Sequence, residues 1–166
     1  MTMTGTVLAP PSDAATWWDH RSYPADPAQV REVRRDLDTD LSGFDADLVA
    51  TVRLCAAELA ANAVKYAPGA GFHRALAMPT PAALWLAIID GGAGTGLPRI
   101  PTDRTDRERD DAEGQRGLVL VDALATTWGH YPTGPGETSL GLGVWASFTL
   151  RPGQAPAGLG RLIMTR

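Results

Sequence analysis

The stretch ALWLAIIDGGAGTG, residues 83–96, is an almost unbroken apolar run from Ala83 to Ile89, closed by Asp90 and followed by glycines. A run of that length, bounded by Pro81 before it and Gly91-Gly92 after it, predicts a strand buried on both faces and central in a sheet. At its end the glycines let the backbone fold closely around a ligand. A carboxylate there is placed to accept from an exocyclic amine such as that of adenine. The same pattern also suits a plain strand that leads into a glycine-rich turn.

On the N-terminal side, Phe72–Met78 reads as a neighbouring strand, set off from Ala83–Asp90 by Pro79 and Pro81. Two helices come before it. Val30, Val33, Leu37 and Leu41 recur at helical spacing behind Asp26-Pro27, which predicts a helix capped by the aspartate with proline in its first position. Leu48, Val52, Cys55, Leu59 and Ala63 form the apolar stripe of a second helix, capped by Asp45 or Asp47 and stopped by Pro68-Gly69. Thr16–Tyr23 reads as a first strand.

On the C-terminal side, Leu118–Leu124 reads as a helix, and Thr126–Tyr131 and Gly143–Leu150 as strands joined by a turn-rich stretch. Two adjacent helices followed by neighbouring strands do not fit regular βαβ alternation. The expected class is α+β, a two-layer sandwich with a mixed, mostly antiparallel sheet and its helices on one face. Residues 1–15, rich in Thr, Ala and Pro without period, are expected as a disordered tail, 16–152 as a single domain and 153–166 as a C-terminal tail.

With 166 residues the chain is long enough for one domain with a real core and too short for two comfortable ones. A formal charge of −4 without a basic stripe argues against direct nucleic-acid binding. No apolar run reaches the length of a membrane span, and Met1–Ala15 lacks the layout of a secretory signal, so a cytoplasmic location is expected. Cys55 is the lone cysteine and reads as a small apolar helix residue. His20, His73 and His130 lack ligand spacing, so no transition metal is expected.

Two further segments carry candidate chemistry. In Glu58-Leu59-Ala60-Ala61-Asn62-Ala63-Val64-Lys65, Glu58 and Asn62 stand one helical turn apart on one face. Lys65 lies within about 20° of Glu58 around the same helix. A carboxylate and a carboxamide suit a hard ion such as Mg²⁺ that takes its other ligands from water and phosphate; the same edge also suits a solvated helix face. In Glu113-Gly114-Gln115-Arg116-Gly117-Leu118, a glycine-bearing loop is expected to enter a helix, leaving N–H groups free for phosphate oxygens, with Arg116 adding a fixed charge. The Walker pattern is excluded because Lys65 is the only lysine. The dinucleotide pattern fails because its third glycine falls at Leu97, followed by Pro98.

Taken in order, these segments resemble the motifs of the GHKL ATPase superfamily, whose nucleotide site is the Bergerat fold. Glu58-x-x-x-Asn62 looks like its N box, Asp90-x-Gly92-x-Gly94 like its first glycine box, and Gln115-Arg116-Gly117-Leu118 like its second. The run Arg116–Leu124, followed by Trp128-Gly129 and Val144-Trp145, is similar to the stand-alone anti-sigma factor serine/threonine kinases and their actinobacterial ATP-binding relatives.

The resemblance implies ATP and Mg²⁺ as cofactors. It makes Glu58 the general base, Asn62 the Mg²⁺ holder, Asp90 the adenine acceptor and Gly92 and Gly94 the close-approach positions. Gly117 and Leu118 become backbone donors to phosphate, with Lys65 or Arg116 as neutralising charges. It further implies a STAS-type anti-sigma factor antagonist as protein substrate, a sigma factor as a second partner, a homodimer, and a lid over the triphosphate at Pro101–Glu113. Two positions depart from the family pattern: Gln115 stands where glycine is usual, and Leu142 stands near where a basic residue is common. The competing class is a non-catalytic module in which ATP selects a partner-binding conformation. A detached ATPase domain of a sensor histidine kinase fits less well, because no helical hairpin carries a phospho-acceptor histidine.

Overall fold

A computed structural model describes residues 18–92, 112–133, 141–157 and 159. Along them run β1 (Trp18–Tyr23), α1 (Gln29–Asp40), α2 (Ala46–Tyr66), β2 (Phe72–Thr80), β3 (Ala83–Asp90), α3 (Ala112–Leu124), β4 (Thr127–Thr133) and β5 (Gly141–Thr149). Expectations placed on residues 1–15, on Gly94, on Pro101–Asp111 and on residues 160–166 lie outside the described residues.

The strands form one sheet in the order β1-β2-β3-β5-β4, and each of its four pairings is antiparallel. The expected α+β sandwich is thus present, but its sheet is antiparallel throughout the described residues rather than mixed. β3, the apolar run of residues 83–90, is central as expected. β5 inserts between β3 and β4, so the crossover through α3 joins strands that do not touch.

α2 organises the helix layer. Asp45 caps it, accepting from the Leu48 N–H at 3.1 Å, and Ala67 ends it before Gly69 turns at φ 85°. Leu48, Val52, Cys55, Ala56, Leu59, Ala60 and Ala63 are all buried, which is more than one stripe, because α2 packs on the sheet, on α1 and on α3 at once. Its alanines let the neighbouring backbones come close. β3 and β5 supply Leu84, Leu86, Ile88, Ala146 and Phe148 to the same core.

Three local expectations are corrected. α1 starts at Gln29 and no side chain caps it; Asp26 instead closes a turn by accepting from the Ala28 N–H at 2.8 Å. β2 runs on through Pro79 to Thr80, and the proline is accommodated by a register shift between Ala77 and Thr80. The first residues after β5 are no loose tail: Ala155 and Leu159 pack against the main core, and the Gln154 carbonyl accepts from the Asp45 N–H at 2.8 Å.

The charged residues of the five strands (Asp19, Arg21, Arg74 and Asp90) all occupy positions facing the helices. Arg74 is fully buried and bonds Asp19 at 3.0 Å and Asp40 at the end of α1, while Arg21 bonds Asp40 through both Nε and Nη2. The opposite face carries Trp85 stacked on Trp145 at 4.4 Å and 3°, with Ile89, Tyr131, Ala75 and Ala87 around them.

Candidate functional site

Asp90 ends β3 on the helix-facing side of the sheet. Its Oδ1 accepts from the Leu142 N–H at 3.2 Å and from the Gly92 N–H at 3.3 Å. Burial raises the carboxyl above the ordinary aspartate value, and the two backbone donors pull it part of the way back. The residue is thus held as an oriented, half-buried acceptor. β5 completes this corner: a Cβ on Gly141, at φ 153°, would overlap the Asp90 carbonyl oxygen, so only glycine lets β5 begin so close. Neither Gly141 nor the Leu142 N–H figured among the expected site residues. In the sequence Gly141 closes the turn-rich stretch ahead of the expected strand Gly143–Leu150, so no local signal marks either of them.

From Asp90 the chain passes under the end of α2. A Cβ on Gly92 would lie 2.6 Å from the Ala67 Cβ, so this glycine serves close approach, here between the strand end and the helix C-cap. Farther along α2, Glu58 and Asn62 are half-buried. Among the described residues neither side chain has a hydrogen-bond or ion-pair partner, although their polar atoms are not sealed from solvent. Uncommitted oxygens of this kind fit a hard cation bridged to phosphate. Lys65 is exposed, with its Nζ 5.1 Å from the Tyr66 ring centroid.

α3 crosses α2 at Glu58. A Cβ on Gly117 would lie 2.7 Å from Glu58 Oε2 and 3.2 Å from Glu58 Cβ. Here the expectation of a loop that enters a helix at Leu118 is corrected. α3 already begins at Ala112, which places Gly117 and Leu118 past the first turn. Only the first four N–H groups of a helix lack intrahelical partners, so in this conformation those of Gly117 and Leu118 are not free. The glycine is there to let two helices touch at Glu58. Arg116 beside it is exposed and forms no ion pair among the described residues.

The three motifs therefore meet on one helix. Gly92 touches α2 at Ala67 and Gly117 touches it at Glu58, nine residues and about 13 Å apart at the α-helical rise. Asn62 and Lys65 stand between these two contacts. Gly94 lies outside the described residues. Two clefts of the described surface lie elsewhere, one by Asp47, Leu124 and Arg151 and one by Ser22, Gly71 and His73.

The family model of the histidine kinase-like ATPase domain matches residues 23–143, which covers all of these positions. A search of curated proteins gives no match.

Proposed function

Because the chain belongs to the histidine kinase-like ATPase domain family, an assignment that carries ATP binding with it, we propose that it binds ATP·Mg²⁺ along the α2 edge. We propose further that it transfers the γ-phosphoryl group to a serine or threonine of a small STAS-type anti-sigma factor antagonist. Asp90 accepts from the adenine amine. Gly92 and, on the same pattern, Gly94 give the close approach. Asn62 holds Mg²⁺ against the phosphates, and Lys65, Arg116 and the backbone from Gly117 to Leu118 lie on the phosphate side. Mg²⁺, when bound, spreads the charge that develops on the triphosphate. The acceptor hydroxyl attacks the γ-phosphorus as the bond to the β-phosphate oxygen breaks, ADP leaves, and Glu58 takes the hydroxyl proton.

The observation that carries this reading is the contact of Gly117 with Glu58, which brings the second glycine segment onto the helix that also bears Asn62 and meets Gly92. The test is incubation with labelled ATP·Mg²⁺ and a candidate antagonist. Transfer is expected in the wild type and lost in Glu58→Ala, with nucleotide still bound; transfer that survives Glu58→Ala contradicts the assignment of the base.

One observation favours a second reading, that of an ATP-responsive interaction module without transfer. α3 extends to Ala112, which ties up the N–H groups of Gly117 and Leu118. Binding without transfer or hydrolysis across several antagonists would select this reading.

A further inference from the structure

β1 and β2 pair antiparallel with Ser22 opposite His73 and His20 opposite Ala75. That register sets His20, Ser22 and His73 on the sheet face turned away from the helices, with the two histidines as diagonal neighbours. Their ring centroids are 5.1 Å apart and the rings lie 17° from parallel. Ser22 Oγ stands 2.9 Å from His73 Nδ1. Among the described residues, His73 Nε2 and both ring nitrogens of His20 have no hydrogen-bond or ion-pair partner.

We propose that His20 and His73 bind a divalent transition-metal ion, of the class of Zn²⁺ and Cu²⁺, as a clip between the edge strand β1 and β2. Their distance along the sequence argued against a metal; the antiparallel pairing of their strands removes that objection. A tetrahedral ion about 2.0–2.1 Å from each nitrogen needs the two nitrogens about 3.3 Å apart. Rings at 5.1 Å are near that spacing, and His20 is exposed with a soft χ2, so its rotation closes the rest. A ligating histidine donates its other ring N–H to a fixed oxygen, which sets its tautomer and its aim. Ser22 Oγ is that oxygen for His73: Nδ1–H donates to it and the lone pair stays on Nε2.

The ligand set also selects the ion. The charged residues of the strands all face the helices, so no strand carboxylate joins the pair, and Mg²⁺ finds none of the oxygen ligands it prefers. Imidazole nitrogen instead suits Zn²⁺, Ni²⁺ and Cu²⁺. Among the described residues no third His, Cys, Asp or Glu completes the set. Water fills the remaining positions, and a cleft of about 320 Å³ beside Ser22, Gly71 and His73 leaves room for it. The pair lies across the sheet from α2, so the proposal is independent of the nucleotide reading.

Calorimetric titration of the full chain, free of nucleotide, with zinc chloride and with copper(II) chloride tests it. One equivalent per chain is expected, Cu²⁺ binding more tightly than Zn²⁺, with no uptake of Mg²⁺. His20→Ala and His73→Ala should each abolish the uptake. Ser22→Ala, which removes only the positioning oxygen, should weaken it about tenfold or more. His130→Ala, on the helix-facing side of β4, should leave it unchanged. Should an alanine variant misfold by circular dichroism, the wild-type imidazole resonances decide in its place: Zn²⁺ should shift those of His20 and His73 and spare those of His130. Uptake that survives both His20→Ala and His73→Ala overturns the proposal. So does the absence of uptake up to millimolar Zn²⁺, or a shift confined to His130.

Discussion

Gly117 sets two opposing costs against each other. In the interior of a helix, alanine is favoured over glycine by about 1 kcal/mol. Against that, a Cβ 2.7 Å from Glu58 Oε2 and 3.2 Å from Glu58 Cβ overpacks the helix crossing, typically at about 1–3 kcal/mol. Gly117→Ala should therefore cost little stability, between none and about 2 kcal/mol in urea denaturation. Its larger effect should be on Glu58, which must move. A displacement of about 1 Å at a catalytic group is worth roughly a hundredfold in rate, so turnover should fall on that scale while nucleotide affinity holds. An unchanged rate would remove Glu58 from the chemistry.

Asp90→Asn retains an oxygen for the Leu142 and Gly92 N–H groups but puts a donor where the adenine amine must donate. Affinity for ATP should drop at least tenfold, about 1.4 kcal/mol, with little change in melting temperature; calorimetric titration reads it. Burial has raised the Asp90 carboxyl, so as the pH falls it takes up its proton earlier than an ordinary aspartate, and ATP affinity should begin to fail above pH 3.8. The stability contribution has the opposite sign. A raised carboxyl favours the folded state below the unfolded value, and that contribution is lost as the pH rises through the folded one. Affinity that tracks an ordinary aspartate would contradict the burial argument.

Among the elements, the union of α1 with the sheet edge has the most at stake. Arg74 is fully buried, its Nε and Nη1 have no partner, and its charge is met by Asp40 and Asp19. Asp40→Asn strips the main counter-charge and should cost about 3–5 kcal/mol, because an uncompensated charge stays buried. Asp40→Asn with Arg74→Met should recover much of that loss, since apolar replacement of a buried pair is often neutral. A denaturation cycle over the two sites measures the coupling, and strict additivity would refute it. Burial works against the Asp40 carboxylate, but the hydrogen bonds from Arg21 and Arg74 outweigh it and hold the carboxyl below its ordinary 3.8. Its contribution is complete above that pH and is lost as the pH falls through the depressed value. Acid unfolding should accordingly be shallower in Asp40→Asn.

The elements also show what a sequence reading can see. β3 and α2 were legible because an apolar run and an apolar stripe directly report burial. The start of α3 was not. Gly114 and Gly117 look like loop punctuation, whereas Gly117 is present because a neighbouring helix carries Glu58 where a side chain would go. Pro79 misled in the same way, as the register shift that accommodates it depends on the partner strand.

For the molecule as a whole, the class followed from element order, but the strand order did not. Insertion of β5 between β3 and β4 is a long-range pairing with no local signature. The candidate site is legible in the sequence as residue types, Glu58, Asn62, Asp90 and Gly117 each standing in a recognisable segment. Their joint arrangement along α2, and the backbone donors at Gly92 and Leu142 that orient Asp90, emerge only once β5 is in place. The described helices include none long and apolar enough to cross a membrane.

The central claim is that a helix edge, a strand end and a helix crossing form one nucleotide site. The most direct measurement is an amide chemical-shift map of the full chain titrated with ATP·Mg²⁺. Saturable perturbations are expected at Glu58–Ala67, Asp90–Gly92, Arg116–Leu118 and Leu142. Perturbations confined to other surfaces, such as the cleft at Asp47 and Arg151, or none at saturating nucleotide, would contradict it.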